Sequence, residues 1–204
     1  MTQFHSAEIA ELLCTRISHD LAGSIGTVSN VLEMWEDDPE DVVSLKPLLE
    51  NSAQTLAARM KFFRMAFGLK NAAPKEMADL KLVADNYLLT IGNPKTPILM
   101  HSDVKNVSYY KILLLAVMAL ADVFVRGGEI KASETDESLT FEAVSDFELS
   151  TSKLDGMKKA LDGEIPSENP ALFAPVIYLS ALLDGAGVEI KLEYNSKSAR
   201  LNIR

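Results

Sequence analysis

The sequence predicts an α+β protein: an N-terminal helical hairpin, residues 1–70, followed by an α/β two-layer sandwich, residues 75–204. Three observations predict it. From Ser6 to Gly68 apolar residues recur only at helical spacing. From about Asp79 onward, helical runs are interleaved with short alternating segments. Finally, 204 residues with 48% hydrophobic and 24% charged side chains suffice for one fair-sized core or two small ones, and Gly (10) and Pro (8) are too sparse for disorder or fibrous repeats.

The first arm of the hairpin reads Ile9, Leu12, Leu13, Ile17, Leu21, Ile25, Val28, Val31, Leu32, Trp35. Glu36 to Asp41 is a turn, because Pro39 disfavours helix at Asp38 and the acids suit the start of the next helix. The second arm runs Val42, Leu45, Leu48, Leu49, Ala53, Leu56, Met60, Phe63, Phe67 and closes at Gly68, with Pro47 expected to kink or delay it. Apolar residues cover close to half the circumference of the first arm, where a stripe of about 100° would face one partner. The surplus predicts a second hairpin, hence a homodimer with a four-helix bundle. The alternative is that the sandwich covers it.

Beyond the hairpin, helices are expected over Glu76–Ile91 and Tyr109–Val125, the second ended by Gly127 and Gly128. Strands Glu129–Ala132 and Leu139–Ala143 alternate cleanly and form a hairpin around Asp136 and Glu137. A helix Thr151–Leu161 and a Pro-punctuated loop precede a helix Ala171–Leu183, stopped by Gly185 and Gly187. Strands Val188–Tyr194 and Ala199–Arg204 complete the sandwich.

Several function classes drop out. A net charge of −9 opposes binding to nucleic acid or to anionic membranes. One cysteine, Cys14, allows no internal disulfide and no Cys-rich zinc site, and suits a reducing compartment. Without a nearby base it is expected to pack between helices. His5, His19 and His101 are too few for a His-based metal centre. The apolar run Ile112–Val125 is 14 residues long and contains Asp122, so it reads as a core helix and not a membrane span. Met1-Thr2-Gln3-Phe4-His5 has no export leader, and a cytoplasmic location is expected.

The sharpest chemical signal is Arg16-Ile17-Ser18-His19-Asp20-Leu21-Ala22-Gly23-Ser24. His19 falls opposite the apolar stripe and faces solvent. Thr15 before it, and Ala22, Gly23, Gly26, Thr27, Asn30 and Glu33 after it, share its face at helical spacing. A glycine inside a helix costs about 1 kcal/mol against alanine, so bare backbone beside a histidine suggests a bulky partner. On spacing alone, an ordinary surface His-Asp pair remains the better reading. Ser18, His19 and Asp20 point three ways on a helix, which excludes a hydrolase triad. A His19-Asp20 metal dyad would need further histidines on other helices. His101 reads as a strand-end residue of structural or no consequence.

Arg-Ile-x-His-Asp-Leu near the start of a helical hairpin resembles the His-Asp/Glu box of two-component histidine kinases. More closely it is similar to the ChpT family of histidine phosphotransferases from alphaproteobacteria, whose matching segment reads Arg-Leu-Cys-His-Asp-Phe. The likeness continues at Arg64–Gly68 and Leu172–Gly187 and covers nearly the whole chain. It implies paired hairpins in a dimeric bundle and a C-terminal domain like the kinase ATPase fold that has lost ATP binding. The loss is legible. Ala119 stands where the kinase asparagine is expected, Phe147-Glu148-Leu149 replaces the glycine-rich sequel to Asp146, and Glu168-Asn169-Pro170 replaces the Gly-rich lid. No cofactor and no metal of its own are expected. Ser24 departs from the proline usual in such boxes, which leaves the imidazole untouched and puts a helix kink in doubt. Ala22-Gly23 lacks the polar residue that kinases use to direct water.

The resemblance thus implies a phosphorelay shuttle with His19 as phosphoacceptor. Asp20 would hold the reactive tautomer and Arg16 would offset phosphate charge. Thr15, Ala22, Gly23, Gly26, Thr27, Asn30 and Glu33 would meet receiver domains of a hybrid histidine kinase and of response regulators, which supply Mg²⁺. The rival expectations are a non-catalytic receiver-binding module and a divergent ATP-dependent kinase.

Overall fold

A computed structural model describes residues 4–69 and 72–204. The leader reading at residues 1–3, and the expected boundary of the hairpin at residues 70–71, lie outside the described residues.

Helices α1 (Ser6–Asp37) and α2 (Val42–Phe67) form the hairpin. The 32 residues of α1 make a rod about 48 Å long. It starts where the His5 backbone N–H donates to the Glu8 carboxylate at 2.9 Å, satisfying a free donor before the first turn. It ends in an Asx turn, in which the Asp38 carboxylate accepts the Glu40 N–H at 3.2 Å. Pro47 lies inside α2 and does not delay it; the carbonyl it leaves unpaired belongs to Val43, which is exposed to water. Helix α1 also runs unbroken through Ser24, which is buried in the hairpin with Val31, Leu45 and Ser52.

The chain continues through α3 (Met77–Ile91), β1 (Ile98–Ser102), α4 (Tyr110–Ala121), β2 (Gly128–Glu134), β3 (Leu139–Val144), α5 (Thr151–Leu161), α6 (Ala174–Asp184), β4 (Ile190–Tyr194) and β5 (Ser198–Ile203). Short 3-10 turns, Val107–Tyr109 and Pro170–Phe173, lead into α4 and α6. The sheet order is β1-β2-β3-β5-β4. Only β1 and β2 run parallel among these neighbours, because the intervening α4 carries the chain back across the sheet. In β2 and β3 Glu134 faces Leu139, so the hairpin turn falls around Asp136 and Glu137 as expected.

His101 is the next-to-last residue of β1, facing Lys131 of β2, in keeping with a strand-end position. One local expectation is corrected. Helix α4 stops at Ala121, short of Val125. Gly127 and Gly128 are therefore not its stop signal. A Cβ on Gly127, at φ +32°, would meet the Thr96 and Pro97 carbonyl oxygens at 2.5 and 2.7 Å, so this glycine lets the loop cross the entry to β1.

The inner sheet face presents Ile98, Met100, Ile130, Phe141, Leu201 and Ile203 to α4, whose residues Leu113 to Ala121 are all buried. Phe62 of α2 stacks on Tyr87 of α3, centroids 3.8 Å apart, and joins the hairpin to this core. At the open end of the hairpin, Ile9, Leu12, Ile17 and Leu21 pack against the same core. Toward the turn the same stripe is uncovered: Ile25 is 51% and Leu32 46% exposed. The sandwich covers only the lower part of the surplus apolar surface.

Candidate functional site

His19 sits on α1 just above the edge of the sandwich with its side chain 85% exposed. Its Nδ1 lies 3.3 Å from Asp20 Oδ1, and among the described residues Nε2 has no partner. The other oxygen of Asp20 accepts a hydrogen bond from Arg16 Nε at 2.7 Å, an i, i+4 pair along α1. Arg59 of α2 donates to the Asp20 backbone carbonyl, and also to Thr90 Oγ1 at 3.1 Å and the Thr90 carbonyl at 3.0 Å. Three helices are thereby tied together at the residue next to His19.

Arg16 reaches inward. Its terminal nitrogens donate to Asp122 Oδ2 and Oδ1 at 2.8 and 3.0 Å, and Nη1 also donates to the Leu172 carbonyl at 3.1 Å. The two side chains are 7% and 13% exposed, so the pair is well desolvated. Burial works against the Arg16 charge, but the facing Asp122 carboxylate outweighs it and holds the guanidinium protonated. Burial pushes the Asp122 carboxyl up, while Arg16 pulls the other way. Burial, then the Asp122 charge, raise the pKa of the neighbouring Tyr87 phenol as well.

Arg16, expected to offset phosphate charge, has its guanidinium under α1 with its nitrogens engaged by Asp20, Asp122 and Leu172. Thr15, Ala22, Gly23, Gly26, Thr27, Asn30 and Glu33 are all exposed, on one face with His19. A Cβ built on Gly23 or Gly26 meets nothing within 4 Å, so that face is open. Thr27 Oγ1 donates to the Gly23 carbonyl at 3.0 Å and is partly occupied by its own helix. Cys14, expected between helices, is exposed. His101 is exposed on β1, away from these residues.

Asp122, Arg59 and Thr90 were not singled out by sequence. The signal for Asp122 was present, a lone acid inside an apolar run, since a buried charge requires a partner. Nothing in the sequence says that the partner is Arg16, 106 residues away. Among the described residues no three His, Cys, Asp or Glu side chains are grouped to hold a metal ion, and no helix is long and apolar enough to cross a membrane.

No family model matches the sequence. It is 34% identical over 82 residues to the protein phosphotransferase ChpT of Brucella abortus, a match covering 39% of this chain and 39% of that protein. The chain thus matches about two-fifths of the length of this curated relative. A solved bacterial phosphotransferase superposes with a TM-score of 0.77 at 20% identity, covering 100% of this chain and 98% of that one. The histidine kinase domain of a blue-light activated kinase from Erythrobacter litoralis EL346 aligns over 93% of this chain and 91% of that one, with a TM-score of 0.43 and 14% identity. In sequence over two-fifths of its length the chain resembles the ChpT-like histidine phosphotransferases, and over all of its length it has the fold of a bacterial phosphotransferase.

Proposed function

We propose that this chain is a histidine phosphotransferase that carries a phosphoryl group between receiver-domain aspartates through His19. The observation that carries the reading is the exposed imidazole whose Nδ1 faces Asp20 Oδ1 while Nε2 is free. With its proton held on Nδ1, the ring presents the Nε2 lone pair for in-line attack. The Nε2–P bond forms as the bond from phosphorus to the aspartyl oxygen breaks, and that oxygen leaves as a carboxylate. Positive charge then gathers on the ring at Nδ1–H, where Asp20 stands. Transfer to a second receiver is the reverse. Mg²⁺ comes with the receivers and stabilises charge on the transferring group.

The same reading has the chain act without ATP, in a cytoplasmic homodimer, as a hairpin domain (1–70) and a degenerate kinase-like domain (75–204). Ala119, Phe147-Glu148-Leu149 and Glu168-Asn169-Pro170, which stand where the kinase nucleotide boxes would, support the loss of nucleotide binding. The exposed Ile25, Leu32 and Trp35, with the half-buried Val28 among them, support the dimer.

Mixing the chain with a phosphorylated receiver tests the proposal. Label should pass to the wild type and not to His19→Ala, while receiver binding is retained by both. Label acquired from ATP alone would establish a kinase. Binding without label would establish a sequestering module.

A further inference from the structure

We propose that Asp122, on the sandwich, is a positioning residue for His19: by holding the Arg16 fork it leaves Asp20 Oδ1 free to face the imidazole Nδ1. The proposal rests on His19 being the reactive group.

A guanidinium has five N–H donors in a rigid plane, and its preferred partner is a carboxylate taken by two of them. Two carboxylates compete for this one. Asp122 takes both terminal nitrogens, at 2.8 and 3.0 Å, and Asp20 receives only Nε, at 2.7 Å on Oδ2. The remaining oxygen of Asp20 is therefore the one that faces His19 Nδ1, at 3.3 Å.

Asp122 is fixed well enough to impose this division. It directly follows α4, and its carbonyl accepts a hydrogen bond from Lys153 Nζ of α5 at 2.6 Å. The Leu172 carbonyl, in the turn before α6, holds the same arginine from another side at 3.1 Å. Arg59 does not enter the competition, since it takes the backbone carbonyl of Asp20 and leaves the carboxylate alone.

Two losses can be distinguished. Without Asp122 the fork turns to Asp20, one helical turn away, and claims both oxygens. Without Arg16 as well, nothing anchors Asp20 and its carboxylate rotates freely. In both cases Nδ1 loses its acceptor, the ring proton is no longer held there, and the proportion of imidazole with a bare Nε2 falls.

Nitrogen-15 NMR of the full chain, at a pH above the imidazole titration, reads the two ring tautomers of His19 directly. Labelling by phosphoramidate, whose P–N bond breaks to release ammonia, reads Nε2 reactivity with no receiver present. The wild type should show mainly the Nδ1–H tautomer. Asp122→Asn should move the population toward Nε2–H and slow labelling by roughly tenfold, the scale on which orienting partners act. An unpaired Arg16 in the interior endangers the fold, so the paired change Arg16→Met with Asp122→Leu is measured too. It removes both charges at once and keeps the volume filled. It should show the same loss of Nδ1–H preference. A folded variant of either kind with wild-type tautomers and labelling rate overturns the proposal. Because the tautomer is read in the protein alone, failure of transfer from receivers would overturn the phosphotransfer reading and leave this test intact.

Discussion

Gly156 and Phe173 show how single residues shape the part of the sandwich nearest the site. A Cβ at Gly156 on α5 would lie 2.2 Å from the tip of the Phe173 ring and 2.7 Å from its edge. Phe173 is buried, so the ring cannot swing into water to make room. Phe173 follows Leu172, whose carbonyl holds Arg16. Replacing Gly156 with alanine gains about 1 kcal/mol of helix propensity, against about 1–3 kcal/mol of overpacking. Gly156→Ala should therefore lower the midpoint of urea unfolding without changing its slope. An unchanged or higher midpoint would mean that the ring shifts freely. The missing side chain at position 156 is thus a packing requirement, whereas those at Gly23 and Gly26 face open space.

At the scale of elements, α1 carries opposite tasks on opposite faces. Ile17, Leu21, Ile25, Val28 and Leu32 line one side, and His19 with Ala22, Gly23, Gly26 and Asn30 lines the other. In the proposed transfer a receiver would bring its aspartate to near-attack distance of Nε2, about 3 Å from phosphorus, so its own backbone would have to pass close to α1. Small residues on the turn side of His19 allow that approach. Gly26→Arg should weaken receiver binding and transfer on the order of tenfold, about 1.4 kcal/mol. The same change should slightly raise thermal stability, because arginine is the better helix former by nearly 1 kcal/mol. Transfer at the wild-type rate would move the docking surface off this face and leave the His19 assignment standing.

For the whole molecule, the decisive feature is that the sandwich covers only half of the hairpin. Its core takes Ile9, Leu12, Ile17 and Leu21, while Leu32 on α1 and Leu48 on α2 stay 46% and 49% exposed near the turn. Burying an isoleucine or leucine is worth about 1.5–3 kcal/mol each, and a second hairpin would supply that burial at several positions together. Ile25→Glu or Val28→Glu would place a charge in such a bundle. Light scattering should then report monomers or aggregates, against the dimers expected of the wild type. A compact dimer in both variants would contradict the bundle and leave the stripe without a partner.

The sequence alone determined the periodic elements: the hairpin with its turn at Pro39, the β2–β3 pair, α5 to the residue, and the solvent-facing His19 with its small neighbours. Each of these is written within a few turns of chain, where helical or alternating spacing sorts the side chains by environment. Only the tertiary structure decided where α4 stops, why Gly127 is a glycine, and which groups Arg16 binds. Those outcomes depend on groups far apart in the chain, an aspartate just after α4 pairing with an arginine of α1, or a carbonyl of β1's approach passing over a loop. A lone acid in an apolar run announces that it needs a partner, because burying an unpaired charge is prohibitive. Which partner it takes depends on which side chains the packed helices bring within hydrogen-bonding reach, and that is a property of the fold.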